Sequence, residues 1–178
     1  MADQLSAKDW LDQGFRTLTA SGFTALKAEP LAKAMGVSRG SFYWHFADTD
    51  AFHAAILAHW RDVAAEQVIA NLEAASGTAN PLPRLLRGAF SGRPALENAV
   101  RTWASFDPKA RAAVQAIDRR RLDYIESLFR ANGFPSAVAR ARAQILYWAY
   151  LGYALSEQPL PKARQAAVLD ELLAIAAR

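Results

Sequence analysis

Met35 to Phe46 read "MGVSRGSFYWHF", with four rings, Phe42, Tyr43, Trp44 and Phe46, beside Arg39 and His45 on a segment that opens with glycine and serine. Gly36 is suited to end one helix and Ser38 to cap the next. The preceding "AEPLAKAM", Ala28 to Met35, predicts a short helix. Pro30 is tolerated in its first turn, where backbone N–H groups have no helical partner. Two short helices joined by "GVS" predict a helix-turn-helix, in which the second helix enters the major groove of DNA and the first crosses the backbone. A helix with that task must be slim at its start, which suits Ser38, Gly40 and Ser41. Phe42 and Phe46 lie four apart and share a face. They are assigned to the core with Leu31, Ala32 and Phe15, while Arg39, Tyr43 and Trp44 project elsewhere.

Working outward, the flanking segments are helical as well. Ser6 stands three residues before Asp9 in a capping-box spacing, and Trp10, Leu11, Phe15 and Leu18 follow at helical steps until Gly22 stops the run. Asp48 can cap a long helix reaching to about Ala74. "SGTANPLP", Ser76 to Pro83, is the clearest break after the head. Further helices are expected over Pro83 to Phe90, Pro94 to Phe106, Pro108 to Asn132, Pro135 to Ser156 and Lys162 to Ala176, with Asp107 and Pro108 forming an N-cap and first position. No period-two alternation is sustained anywhere. The fold class is therefore all-α, with about nine helices: a three-helix head and a larger helical body.

The 178 residues are 52% hydrophobic and 11% aromatic, enough to fill a real core. Cysteine is absent, which removes disulfides, thiolate chemistry and thiolate zinc sites. The start, "MADQLSAKDW", lacks a basic stretch followed by an apolar run, so it does not read as a signal peptide and the mature chain is expected to begin near Met1. Ala143 to Ser156 is the longest charge-free run late in the chain, shorter than the roughly 20 residues a membrane helix needs. A soluble, cytoplasmic protein is expected. The net charge of +4 suits nucleic acid without demanding it, because residues 1–60 hold five basic side chains against six acidic ones.

"GFTALKAEPLAKAMGVSRGSFYWHF", Gly22 to Phe46, resembles the head of the tetracycline-repressor (TetR) family of bacterial regulators almost position for position. That head has the form Gly-aromatic, then Leu/Ile-Ala, then Ala/Leu-Gly-Val-Ser, ending in Tyr-x-His-Phe. The resemblance extends over about residues 6–60. It implies a DNA-binding domain over 1–47, with the family domain at about 4–64 and the motif at about 28–46, and a ligand-binding and dimerisation domain over 48–178. It also implies a homodimer that reads a palindromic operator, and a small inducer held in the C-terminal domain. Carried over by position, Arg39, Gly40 and Ser41 would approach base edges, Tyr43, Trp44 and His45 would contact phosphates or line the groove, and Ser38 is counted with them as DNA-binding. Arg39 is the candidate for a bidentate guanine contact. Many members have Thr at the start of the second helix and Lys at the start of the fourth, both touching phosphate. This chain has Lys27 and Thr49 there, and Asp48 and Asp50 beside Thr49 would oppose close approach.

Beyond the head, Val114, Ile117, Tyr124 and Leu128 form an apolar row into which Arg121 falls, and a charge on a buried stripe needs a partner. Arg121 is either paired structurally, with Asp118 or an acid on a neighbouring helix, or it binds an anion in a ligand pocket. Trp60, Trp103, Phe106, Tyr124 and Tyr147 are candidate pocket lining, and the composition points to an apolar or aromatic inducer. "AVARARAQILYWAYLGYALS" and "AAVLDELLAIAAR", with Val168, Leu172 and Ile175, offer two stripes for a four-helix dimer seam. An enzyme is disfavoured: the three histidines, His45, His53 and His59, lie in or beside the head, and no nucleophile has a visible base. His53 and His59 are six apart, the wrong step for a shared metal, and no cofactor is expected. Transcriptional regulation by DNA binding, most simply repression relieved by an inducer, is the expected function. The alternative is a helical protein-interaction module that has lost operator binding.

Overall fold

The computed structural model describes residues 5–77, 80–92, 94–158 and 160–177, and no strand occurs among them. The chain start at Met1, and Thr78 and Ala79 within the predicted break, lie outside the described residues. The helices are α1 (Ala7–Ser21), α2 (Ala28–Met35), α3 (Arg39–Tyr43), α4 (Thr49–Arg61), α5 (Gln67–Ser76), α6 (Leu82–Ala89), α7 (Ala95–Ala104), α8 (Pro108–Ala131), α9 (Ser136–Leu155) and α10 (Lys162–Ala177). A 3₁₀ turn spans Phe23–Ala25, and a π turn at Asp62–Glu66 carries α4 into α5. With α4 and α5 taken as one helix, nine are described, and no helix is long and apolar enough to cross a membrane.

The chain forms two compact units: Met1–Val63 with Ala95–Gln115, and Ala64–Pro94 with Ala116–Arg178. In the first, α1 starts on the expected capping box, with Asp9 N–H donating to Ser6 Oγ and Ser6 N–H to Asp9 Oδ2 at 2.7 Å. Hydrogen bonds from the Ser6 side chain and backbone hold the Asp9 carboxyl below its ordinary range. Gly22 (φ 77°) ends α1 and Gly36 (φ 69°) ends α2, both in backbone conformations that a side chain would strain. Asp48 accepts from Ala51 N–H at 2.7 Å and caps α4, and Asp107 accepts from Ala110 N–H at 2.8 Å at the start of α8. The core of this unit holds Trp10, Leu18, Leu26, Leu31, Phe42, Phe52, Ile56 and Trp60, all at most 1% exposed.

Three local expectations need correction. The helix expected from Ser38 to about His45 ends at Tyr43, and Ser38 occupies the N-cap position without a side-chain hydrogen bond, since the short turn closes on its carbonyl instead. The single helix expected from Asp48 to Ala74 is interrupted by the π turn, whose Ala64 carbonyl accepts from Arg121 Nε (3.3 Å) and Nη2 (3.1 Å). Phe15, assigned to the core, is only half-buried and stacks on His59 with ring centres 4.9 Å apart.

The second unit packs α5, α6, the later part of α8, α9 and α10 around Leu72, Leu82, Leu86, Phe90, Phe129, Leu146 and Tyr147. Tyr147 donates to Asp118 at 2.5 Å, and Arg120 pairs with Glu66 at 3.2 Å. Leu172 of α10 is buried in this core with Ile175 packed against it, so most of the α10 stripe faces its own chain. On α9 the row Val138, Ile145, Trp148 and Leu155 is exposed, Trp148 by 64%.

Candidate nucleic-acid interface

The turn after α2 is built by Gly36, whose left-handed backbone lets Val37 N–H return to the Ala32 carbonyl at 3.0 Å. Ser38 then runs extended and α3 begins. One face of α3 is pinned by rings. Phe42 meets Trp10 edge-on at 5.4 Å and Phe52 at 5.2 Å, and Phe46 meets Phe52 at 4.9 Å. Phe42 is wholly buried and Phe46 nearly so. Edge-to-face contacts of this kind fix orientation as well as burying area.

The opposite face is open. Ser38, Arg39, Gly40, Tyr43 and Trp44 are exposed, Ser41 is half-buried, and Trp44 shows 74% of its surface. Arg39 Nη2 donates to the Tyr43 hydroxyl at 3.0 Å and its guanidinium lies 5.4 Å from the Tyr43 ring centre. That hydroxyl pushes the Arg39 pKa above even its ordinary high value. An arginine held one turn along a helix by a tyrosine loses less rotamer freedom on meeting a base edge. His45 is half-buried, and its Nε2 is enclosed with no hydrogen-bond partner among the described residues.

Lys27 is the exposed N-cap residue of α2, and Thr49 is half-buried at the first position of α4. The two acids flanking Thr49 are both engaged: Asp48 in the α4 cap, and Asp50 with Lys109 of α8 at 3.3 Å. The second pairing joins residues 59 apart, and no spacing rule could have found it. His53, one turn further along α4, hydrogen-bonds the Leu26 carbonyl at 2.8 Å. Phe23 stacks on Trp103 at 4.6 Å and meets Phe106 at 5.7 Å, so α7 and its corner are fastened to the 3₁₀ turn before α2.

The candidate pocket residues fall in both units. Trp60 and Trp103 are core of the first, and Phe106, beyond the end of α7, is 58% exposed. Arg121, Tyr124 and Tyr147 belong to the second. Arg121 binds the Ala64 carbonyl and lies 5.4 Å from the Tyr150 ring centre. Tyr124 is buried, and its hydroxyl has no hydrogen-bond partner among the described residues. Burial raises its pKa, as does the nearby Glu73 charge, with Arg120 opposing, so the phenol is neutral at pH 7. Among the described residues no group of three His, Cys, Asp or Glu is placed to hold a metal.

Residues 11–56, from α1 into α4, match the family model described as bacterial regulatory proteins, tetR family. The head of the chain is thus similar to that of the tetR family over this stretch. Solved structures agree on the fold over nearly its whole length. The reduced form of NemR from E. coli superposes with a TM-score of 0.75 at 19% identity, covering 96% of this chain and 95% of that one. A member of the TetR family from Streptomyces coelicolor A3 gives 0.65 at 23%, over 94% and 98%. A transcriptional regulator from Saccharomonospora viridis, in complex with choline, gives 0.71 at 15%, over 94% and 95%. No curated protein sequence matches the chain. Within the matched stretch the helix-turn-helix is α2 and α3, with α1 and α4 as its supports.

Proposed function

We propose that this chain is a tetR-family, cytoplasmic, sequence-specific transcriptional regulator, not an enzyme, and that it acts as a repressor released from a palindromic operator by a small molecule. The observation that carries this is the two-sidedness of α3: Phe42 and Phe46 are locked inward while Arg39, Tyr43 and Trp44 stand exposed on a slim, Gly- and Ser-containing start. Ser38, Arg39, Gly40 and Ser41 would meet base edges. Lys27, Tyr43, Trp44, His45 and Thr49 would meet phosphates or the groove wall. Residues 1–47 would act as the DNA-binding domain and 48–178 as the ligand-binding and dimerisation domain.

Two copies would pair through α9 and α10. The exposed row Val138, Ile145, Trp148 and Leu155 supports α9 as the main contributor. Such a homodimer would hold its recognition helices about 34–36 Å apart, one turn of DNA. An apolar or aromatic inducer bound in the body, with Arg121, Tyr124 and Tyr147 as the candidates within the second unit, would favour a conformation in which that spacing is lost. The choline bound to the Saccharomonospora viridis regulator supports a small-molecule ligand for this fold. The coupling needs only a differential affinity of about 1–3 kcal/mol.

Selection from a pool of random duplexes with the purified protein tests the reading. Enrichment of a palindrome with half-sites one helical turn apart is expected. Failure to enrich any sequence at low salt would overturn it in favour of a protein-interaction module.

A further inference from the structure

The segment 95–115 packs with the head and brings three cations to it: Arg101, Lys109 and Arg111. Two are tied down within the segment itself. Arg101 pairs with the buried Glu97 at 2.8 Å, and Arg111 donates to the Ala104 and Ser105 carbonyls at the end of α7. Lys109 differs: its partner Asp50 stands in the first turn of α4, and the two side chains are 71% and 77% exposed. An ion pair that open is worth little and is readily exchanged.

Resting on the DNA-binding reading above, we infer that Lys109 is a phosphate-contacting residue of the nucleic-acid interface, contributed by α8 from outside the helix-turn-helix. Asp50 lies next to Thr49 at the start of α4, where a fixed negative charge would repel the DNA backbone. Asp48 is also exposed but spends Oδ1 on the α4 cap, whereas Asp50 is offset by the Lys109 ammonium at 3.3 Å. A lysine on a flexible four-carbon stem exchanges an exposed carboxylate for a phosphate without disturbing the backbone that carries it. That backbone is well placed. The His53 bond to the Leu26 carbonyl ties α4 to the residue before Lys27, and the Phe23 stack on Trp103 ties α7, just before Lys109, to the same turn. Lys27, Thr49 and Lys109 therefore ride on three segments fastened to one another. The stretch also offsets the head's balance of five basic against six acidic side chains, since its three cations exceed its two acids, Glu97 and Asp107, by one.

Fluorescence anisotropy on the enriched duplex and on a random-sequence duplex of equal length, titrated with salt, tests this with Lys109→Gln, Lys109→Arg and Asp50→Asn. Lys109→Gln is expected to weaken both duplexes by the same factor and to reduce the slope of log affinity against log salt by about 1 per copy, about 2 for the dimer, with Lys109→Arg restoring both. Asp50→Asn is expected to leave binding unchanged or tighter, because it removes a repelling charge and releases the lysine. A slope unmoved by Lys109→Gln would overturn the inference while leaving operator binding intact. Parallel weakening by Lys109→Gln and Asp50→Asn would overturn it too, since that is the mark of a structural strut. Binding of neither duplex by the unaltered protein would remove the DNA-binding reading and Lys109 with it.

Discussion

Tyr124 shows how a single polar atom can be read in energetic terms. Its ring fills the core of the second unit, but its hydroxyl is enclosed with no partner among the described residues. A buried, unsatisfied hydroxyl costs about 1–3 kcal/mol, whereas deleting it and leaving the ring costs no packing. Tyr124→Phe is therefore expected to be neutral or to stabilise the protein by about 1 kcal/mol, read as a raised midpoint in urea unfolding. A lowered midpoint would show that the hydroxyl is satisfied after all. Arg39 is the opposite case, a polar group fully in solvent but already oriented by the Tyr43 hydroxyl. Their i, i+4 spacing was legible in the sequence. The unpartnered Tyr124 hydroxyl was not, because satisfaction of a buried group depends on every element packed around it.

At the scale of elements, the crossing of α1 and α4 depends on Gly14. A Cβ built there would lie 2.3 Å from Ile56 Cδ1 and 2.9 Å from Phe52 Cζ. Alanine would gain up to about 1 kcal/mol of helix propensity, but Phe52 is wholly buried and wedged between Phe42 and Phe46. Overpacking costs about 1–3 kcal/mol, so Gly14→Ala is expected to destabilise by about 1 kcal/mol, seen as a lower melting temperature. An unchanged or raised melting temperature would mean that the crossing can open freely. Most element ends were legible to within a residue or two because local chemistry sets them: the Ser6 box, the glycines at 22 and 36, the Asp48 and Asp107 caps. The π turn at Asp62–Glu66 was not, since nothing in "DVAAE" forbids an ordinary turn and its carbonyl is held by Arg121 from far along the chain. For the α10 stripe the sequence leaves the direction open. An apolar row says that a helix is covered, not whether its own chain or a second copy covers it.

For the whole molecule, the reading rests on repetition. One α3 in one major groove offers few contacts, and specificity is expected only when two copies, joined through the open row on α9, each place Arg39 on a half-site. The head was recognisable from Gly22 to Phe46 alone because its pattern is local and dense. The body carries no such pattern, so its pocket candidates follow only from residue type and helix face. The most direct measurement is the ratio of dissociation constants for the random-sequence duplex and the enriched palindrome, compared between the unaltered protein and Arg39→Ala. A bidentate guanine contact is worth about 1–3 kcal/mol per half-site. The account predicts that Arg39→Ala lowers the ratio at least tenfold while binding to the random duplex changes little. A ratio left intact would contradict the claim that the exposed face of α3 reads the operator.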